Sequence, residues 1–262
     1  MAETIEAPVD GGILRGERNG AGEPALVLHG GPGLSDYTEP LATELAEDFT
    51  TIRYQQRGLE PAPLTGATVE GHVADAIAVL DALEIDRAWV VGHSWGGYLA
   101  MHLAVAHPER VAALVAVCTL GAVGDGALAE FGARMKTRFH EHYGRDAGED
   151  ETFETVWPLY FPRPSEAPPY PQIVQVDAAE TWASIEAHIH RRTLELELPS
   201  YRGQALFVHG REDPLPWEAA ARSADLVPGA RLEVLDGLGH FPWLDEPGCI
   251  ANAIRRFGSA GD

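Results

Sequence analysis

The segment from residue 88 to residue 106 constrains the fold of this chain more than any other. A short apolar run at 88–91 leads directly into Gly92-His93-Ser94-Trp95-Gly96-Gly97, and an apolar helical pattern follows at 98–106. The run is short and lacks polar alternation, so it predicts a strand that is buried on both faces. A buried strand that turns into a buried helix is the unit from which parallel α/β sheets are built.

The same unit recurs along the chain. Apolar runs at 25–28, 51–54, 111–118, 205–208 and 232–235 predict five further buried strands, and helical patterns occupy 69–80, 215–226 and 247–257. Residues 3–9 and 11–16 read as two short strands joined near Asp10-Gly11, which is typical of a hairpin. The sequence therefore predicts an α/β fold in which helices cover both faces of a mostly parallel central sheet, with an antiparallel edge.

This alternation stops between residues 119 and 200. The interval contains a helical pattern at 128–142, an acidic loop at 144–151, a proline-rich stretch at 157–171 and a second helical pattern at 177–196. The density of proline in the third part predicts irregular structure there. We expect residues 1–118 and 201–262 to form the core, and residues 119–200 to form a helical cap inserted across it.

Charge and composition exclude several classes of function. The chain has 262 residues, with 40 acidic against 19 Lys and Arg side chains and a formal charge of −21. Such a charge disfavours binding to nucleic acids and to anionic membranes. Two cysteines make neither a disulfide framework nor a metal cluster, and the chain shows no leader or spanning run, so a cytoplasmic protein is expected. The sequence leaves the oligomeric state open.

Ser94 is the candidate nucleophile. It occupies the serine position of G-x-S-x-G between a predicted strand and a predicted helix, which is the context of a nucleophile elbow. The flanking glycines allow a tight turn, and the N-terminus of the helix behind it favours negative charge. The alternative is a glycine-rich turn that contains an incidental serine.

A nucleophilic serine needs a base and an acid that orients the base. His240 follows the strand at 232–235, and Asp213 follows the strand at 205–208, so both would lie at the carboxyl edge of the sheet in the order serine, acid, histidine. Glu212 is an alternative acid. The segment His29-Gly30-Gly31-Pro32-Gly33 follows the first parallel strand, and its Gly31 N–H could form an oxyanion hole with the N–H of Trp95. A phosphate-binding loop is the alternative for this segment, but the spacing of its glycines does not fit one.

Together these motifs resemble the α/β-hydrolase superfamily and, within it, the proline iminopeptidase-like branch. The resemblance implies that Asp213, in Gly210-x-x-Asp213, is the acid. Two departures stand out: Gln55 replaces the aspartate of a Y-D-Q-R-G motif, and residues 182–186 match only part of a W-x-x-W-E motif. By that resemblance Glu186 could bind the amino group of a substrate, although an exposed helical glutamate is the simpler reading.

Other candidate residues have two readings. The aromatic residues Trp157, Tyr160, Phe161 and Tyr170 could line an apolar substrate pocket or form the core of the cap. The pairs His140/His142 and His188/His190 are two residues apart, so on a helix they point to different faces and do not predict a metal site.

The sequence thus predicts a serine hydrolase that acts through an acyl-enzyme on a small amide or ester, and the resemblance implies that it is proline iminopeptidase-like. An esterase, lactonase or thioesterase for a small apolar acyl group is the alternative, and a binding protein without catalytic activity is a third reading. No metal or organic cofactor is required by this chemistry. The expected partner is a small molecule or a short peptide.

Overall fold

The computed structural model describes residues 2–124, 126–148 and 151–259. Of the predicted acidic loop at 144–151, residues 149 and 150 lie outside the described part. Eight strands form one sheet in the order β1-β2-β4-β3-β5-β6-β7-β8. Their bounds are β1 Glu3–Val9, β2 Gly12–Gly20, β3 Glu23–Leu28, β4 Phe49–Tyr54, β5 Ala88–His93, β6 Val111–Val117, β7 Gln204–Gly210 and β8 Arg231–Leu235.

The described part also contains ten α-helices. They are α1 Glu39–Leu45, α2 Val69–Ala82, α3 Trp95–Ala106, α4 Gly126–Tyr143, α5 Phe153–Val156, α6 Ala179–Arg191, α7 Thr193–Glu197, α8 Trp217–Leu226, α9 Pro242–Asp245 and α10 Cys249–Gly258. None of these helices combines the length and the hydropathy that a bilayer crossing requires.

The predicted α/β fold class is confirmed. Strands β3 to β8 pair in parallel, and β2 joins β4 antiparallel with β1 at the edge. Neighbouring residues of β3 alternate between two cores, because Leu26 and Leu28 pack on one side of the sheet while Ala25 and Val27 pack on the other. Burial on both faces explains why the strand lacks a polar stripe.

Two predicted boundaries and one predicted irregular stretch differ from the structure. Strand β2 extends to Gly20 rather than residue 16, because its second half pairs with β4 from Gly16 to Gly20. The single helix predicted at 177–196 breaks at Arg192, whose φ of 57° ends α6 before α7 begins. The proline-rich stretch contains short 3₁₀ helices at Trp157–Tyr160 and Pro164–Glu166, since proline is tolerated at the start of a helical turn.

The residues between β6 and β7 form α4 to α7 and the 3₁₀ turns. They pack on both cores, since Ile185 and Leu194 join the core on the α2 and α3 side, while Trp157 and Phe161 join the other. The division into a core and a cap at residues 119 and 200 stays a prediction.

A buried histidine of α3 makes the stability depend on pH. Burial, and then the neighbouring His188, lower the pKa of His102 from 6.5 to about 3. Between those pH values the unfolded chain binds a proton here that the folded chain excludes, so stability falls as the pH falls. The free energy of unfolding of the wild type should fall between pH 7 and pH 5. In His102→Gln we expect this fall to be smaller by about 2 kcal/mol, as measured by urea denaturation at both pH values. The exposed His142 supplies the control, because His142→Gln should keep the wild-type pH dependence.

Candidate active site

Ser94 lies on a sharp turn between β5 and α3. Its backbone adopts φ 56° and ψ −119°, a conformation that residues other than glycine rarely occupy. The turn is fixed from the neighbouring strand, because the Ser94 N–H donates to the carbonyl oxygen of Val117 over 2.8 Å. The side chain therefore projects at the carboxyl edge of the sheet, where open α/β sheets place their sites.

Two glycines make this turn possible. A Cβ atom on Gly92 would overlap with the Gly96 carbonyl oxygen, and a Cβ atom on Gly96 would overlap with the Leu28 carbonyl oxygen. The absence of these side chains lets the start of α3 pack directly on the ends of β3 and β5. The G-x-S-x-G spacing thus has a steric cause that is independent of the serine.

The structure brings Asp213 and His240 together from two separate loops. His240 Nδ1 and Asp213 Oδ2 are 2.8 Å apart, and both residues are buried. The second carboxylate oxygen, Oδ1, accepts the Leu215 N–H over 2.7 Å. Glu212, the alternative acid, is exposed. The carboxylate that faces the histidine is therefore that of Asp213.

A further histidine, which the sequence analysis did not find, also contacts this carboxylate. His209 Nε2 lies 3.1 Å from Asp213 Oδ2 and 2.9 Å from the Leu215 carbonyl oxygen, and the ring is fully buried. Burial alone would raise the pKa of Asp213, but His240 and the hydrogen bond from His209 outweigh it and hold that pKa well below its usual range. Asp213 is therefore ionised at neutral pH and can stabilise positive charge on His240.

Ser94 lies beside the His240 loop. The ring of His93, the residue that precedes Ser94, has its centroid 4.7 Å from that of His240. Among the described residues, no hydrogen bond links Ser94 Oγ to His240. Contacts between a nucleophile and its base are often long before substrate binds, so this geometry is compatible with a catalytic pair.

The predicted oxyanion loop lies against Ser94. A Cβ atom on Gly30 would be 2.9 Å from the Ser94 Cβ atom, and Gly31 follows with φ 130°. Trp95 begins α3, whose first backbone hydrogen bonds come from Gly97 and Tyr98 and leave the Trp95 N–H outside the helical pattern. Gly31 and Trp95 therefore lie on the two segments next to the serine.

Gln56 connects those two segments. Its side-chain oxygen accepts the Trp95 Nε1–H over 2.9 Å, and its side-chain nitrogen donates to the His29 carbonyl oxygen over 2.8 Å. Gln55, which departs from the family motif, accepts the backbone N–H of Asp36 over 2.9 Å. The two glutamines thus fix the oxyanion loop. The sequence signal for this role was their position in the motif Tyr54-Gln55-Gln56-Arg57-Gly58.

The segment at 173–176 also holds the oxyanion loop. Ser35 N–H donates to the Val174 carbonyl oxygen, and Val176 N–H donates to the Gly33 carbonyl oxygen, each over 2.8 Å. These bonds surround a bridge between Leu34 and Gln175. The region predicted as the cap therefore forms an isolated β-bridge with the loop that carries Gly31.

The aromatic residues predicted to form either the core of the cap or a substrate pocket differ in burial. Trp157 and Phe161 are 2% exposed and pack against Phe241, as members of the core. Tyr160 is less buried, and its ring centroid lies 5.1 Å from that of His240. Its carbonyl oxygen accepts the His240 N–H over 2.9 Å. Tyr160 therefore lies beside the candidate base, while Tyr170, also half-buried, packs against Trp157.

Arg138 of α4 holds the Tyr160 segment in place. Its guanidinium donates to the carbonyl oxygens of Leu159 over 2.8 Å and of Phe161 over 3.3 Å, and also to that of Glu212. One half-buried cation thus joins the segment over His240 to the loop that carries Asp213.

Glu186 is exposed on α6, so the buried carboxylate that would pair with a substrate amine is not formed there. The reason is the helical phase, which turns the neighbouring Ile185 and His188 inward instead. A contact between Glu186 and substrate stays a prediction, and its exposed position agrees with the simpler reading as a surface glutamate of the helix.

Within the described part of the chain, two buried groups have spacings that could hold a metal ion. They are His93 with Cys118 and His240, and Cys118 with His209 and Asp213, and within each group the ligand atoms lie within 4.8 Å of one another. Each group includes one member of the Asp213–His240 pair, so a metal ion at either place would compete with the hydrogen bond between these two residues.

Comparison with known proteins identifies the family. Residues 24–247 match the model of the alpha/beta hydrolase fold family. The chain is 29% identical to 2-hydroxymuconate semialdehyde hydrolase of Pseudomonas sp. (strain CF600), over 93% of this chain and 89% of that protein. It also resembles the solved structure of Est816, an N-acyl homoserine lactone degrading enzyme, with a TM-score of 0.69 and 26% identity over 97% of this chain and 100% of the other.

The similarity to a proline iminopeptidase covers a smaller part of the chain. The proline iminopeptidase of Heyndrickxia coagulans is 34% identical, but only over 103 residues, which cover 38% of this chain and 36% of that protein. The relatives named above match nearly end to end. The chain belongs to the α/β-hydrolase family and is a hydrolase enzyme.

Proposed function

We propose that this chain is a serine hydrolase that cleaves a small carbonyl substrate through an acyl-enzyme. The observation that carries the proposal is the 2.8 Å contact between His240 Nδ1 and the buried, ionised Asp213, placed beside the strained turn of Ser94. The carboxylate fixes Nδ1–H on the imidazole and leaves Nε2 free to accept a proton.

In the first half-reaction His240 Nε2 takes the proton of Ser94 Oγ as that oxygen attacks the substrate carbonyl carbon. The N–H groups of Gly31 and Trp95 hold the oxyanion of the tetrahedral intermediate. The imidazolium then gives its proton to the leaving group, and the acyl-enzyme remains. Water attacks the acyl carbon with His240 again as the base, which releases the acid and restores Ser94.

Among substrates, we favour a small ester, lactone or thioester over a peptide with a free amino terminus. Glu186 is exposed, and Gln55 carries a neutral amide where the family motif has a carboxylate, so neither supplies a buried carboxylate for an ammonium group. The aromatic ring of Tyr160 beside His240 suits an apolar acyl group instead. The name of the full-length structural relative, a lactone-degrading enzyme, is in line with this choice.

The peptidase remains the second candidate, because His29-Gly30-Gly31-Pro32-Gly33 and Gly92-His93-Ser94-Trp95-Gly96-Gly97 are typical of that branch. A paired assay separates the two. We expect turnover of p-nitrophenyl butyrate or a butyrolactone and none of a prolyl arylamide, with 2-hydroxymuconate semialdehyde as a third arm suggested by the relative's name. Turnover of the prolyl arylamide above that of the ester would reverse the choice.

A fluorophosphonate probe tests the proposal as a whole, since it labels an activated serine. Labelling should be confined to Ser94. Failure of the folded protein to react would favour a binding protein without catalytic activity.

A further inference from the structure

A continuous chain of hydrogen bonds connects the oxyanion loop with the loop of the candidate base. The Gly30 N–H donates to the Tyr37 hydroxyl oxygen over 2.9 Å. The same oxygen lies 2.8 Å from His93 Nδ1, and His93 Nε2 lies 2.7 Å from the carbonyl oxygen of His240. Two side chains therefore join three separate segments of backbone.

The direction of each bond follows from its acceptor. A carbonyl oxygen can only accept, so His93 Nε2 carries the hydrogen. Burial, and then the nearby His240, hold the pKa of His93 well below its ordinary value, so the ring is neutral and its Nδ1 accepts. Tyr37 must then donate its hydroxyl hydrogen to Nδ1, while its oxygen accepts the Gly30 N–H. All the hydrogen bonds of this series therefore have a defined direction, and both ring nitrogens of His93 are paired.

Each end of this chain adjoins a group of the proposed mechanism. Gly30 precedes the oxyanion donor Gly31, His93 precedes the nucleophile Ser94, and the chain ends on the backbone of the base His240. Ring packing supports the same arrangement, because Tyr37 lies edge-on to His93 at 5.7 Å and to Phe241 at 5.5 Å between ring centroids. A shift of either side chain would change the distances among donor, nucleophile and base.

We propose that Tyr37 and His93 are positioning residues that hold the oxyanion loop, the serine turn and the histidine loop at the separations required for catalysis. The inference rests on the proposed function, since it concerns the same site. Neither residue donates to substrate or takes up a proton in the reaction. Their effect is on the geometry of the transition state, in which small displacements are costly.

Tyr37→Phe is the direct test, because it removes only the hydroxyl group and keeps the ring contacts. We expect kcat for p-nitrophenyl butyrate to fall about five- to tenfold, which is the effect of one net hydrogen bond, with KM changed less than twofold. Labelling of Ser94 by the fluorophosphonate should slow by a similar factor. The midpoint of thermal unfolding, measured in parallel, shows that the variant is folded.

Tyr143→Phe is the matched control. The Tyr143 hydroxyl also donates to a backbone carbonyl, that of Thr155 at 2.7 Å, but on the exposed side of α4. This variant should retain wild-type kcat and labelling rate. A merely structural role for Tyr37 would lower the unfolding midpoint without changing kcat per folded molecule.

A double-mutant cycle tests the connection through His93. His93→Phe leaves the Tyr37 hydroxyl without its acceptor. Adding Tyr37→Phe to this variant should therefore lower kcat by a smaller factor than it does in the wild type. Should His93→Phe fail to fold, Tyr37→Phe alone decides. A folded Tyr37→Phe variant with kcat and labelling rate within twofold of the wild type would overturn the inference. Absence of labelling in the wild type would instead contradict the proposed function.

Discussion

Replacement of Ser94 by alanine is expected to lower kcat for ester hydrolysis by about 10⁵- to 10⁶-fold, the effect of losing the nucleophile of a serine hydrolase. Alanine keeps the backbone of the turn and removes only Oγ. Because Ser94 already occupies a positive φ, the substitution introduces no new backbone strain. The measurements are steady-state kinetics and fluorophosphonate labelling of the purified variant.

Ser200→Ala is the control for this experiment. Ser200 is exposed, and its hydroxyl donates only to the local carbonyl of Glu197, so its loss should leave kcat unchanged. Hydrolysis by Ser94→Ala at the wild-type rate would remove Ser94 from the mechanism and with it the acyl-enzyme.

Asp213→Asn should have the second largest effect, a loss of about 10⁴-fold in kcat. An amide in place of the carboxylate removes the charge that stabilises the imidazolium, and its NH₂ group can force the wrong tautomer on His240. His209 and the Leu215 N–H, which now donate to the carboxylate, would each face a weaker acceptor. The KM should change much less than kcat, because the carboxylate acts in the transition state.

Glu212→Gln provides the comparison, since it makes the same change one residue earlier in an exposed side chain. It should leave kcat within twofold of the wild type. If Glu212→Gln were the inactive variant and Asp213→Asn the active one, the acid would have to be reassigned to Glu212.

Local patterns accounted for most of the fold. All eight strands were predicted, because a strand buried on both faces leaves a compact apolar run such as residues 25–28. Helix α1 was missed, since its seven residues, with Pro40 in the first turn, are too few to show a period. The break at Arg192 was missed as well, because a left-handed residue in the middle of a helical pattern leaves no mark in hydrophobic spacing.

In the site, too, residues in short motifs could be predicted, whereas contacts between distant segments could not. Ser94, Asp213 and His240 lie in motifs of a few residues, so the sequence identified them. The contacts of Gln56 with Trp95 and of Tyr37 with His93 join segments far apart in the chain, so one sequence does not show these pairings. His209 lies only four residues before Asp213, but no motif marks its contact with that carboxylate. The position of Glu186 depends on helical phase against α2 and α3, which the motif did not reveal.

The isolated bridge between residues 174–176 and residues 33–35 limits how this enzyme can be re-engineered. Grafting a foreign specificity region would cut the two bonds between Ser35 and Val174 and between Val176 and Gly33. Those bonds brace the loop that is to stabilise the oxyanion, so a change intended for substrate selection would also alter the rate of the chemical step. A productive graft must therefore carry a backbone that can re-form both bonds, whatever side chains it brings.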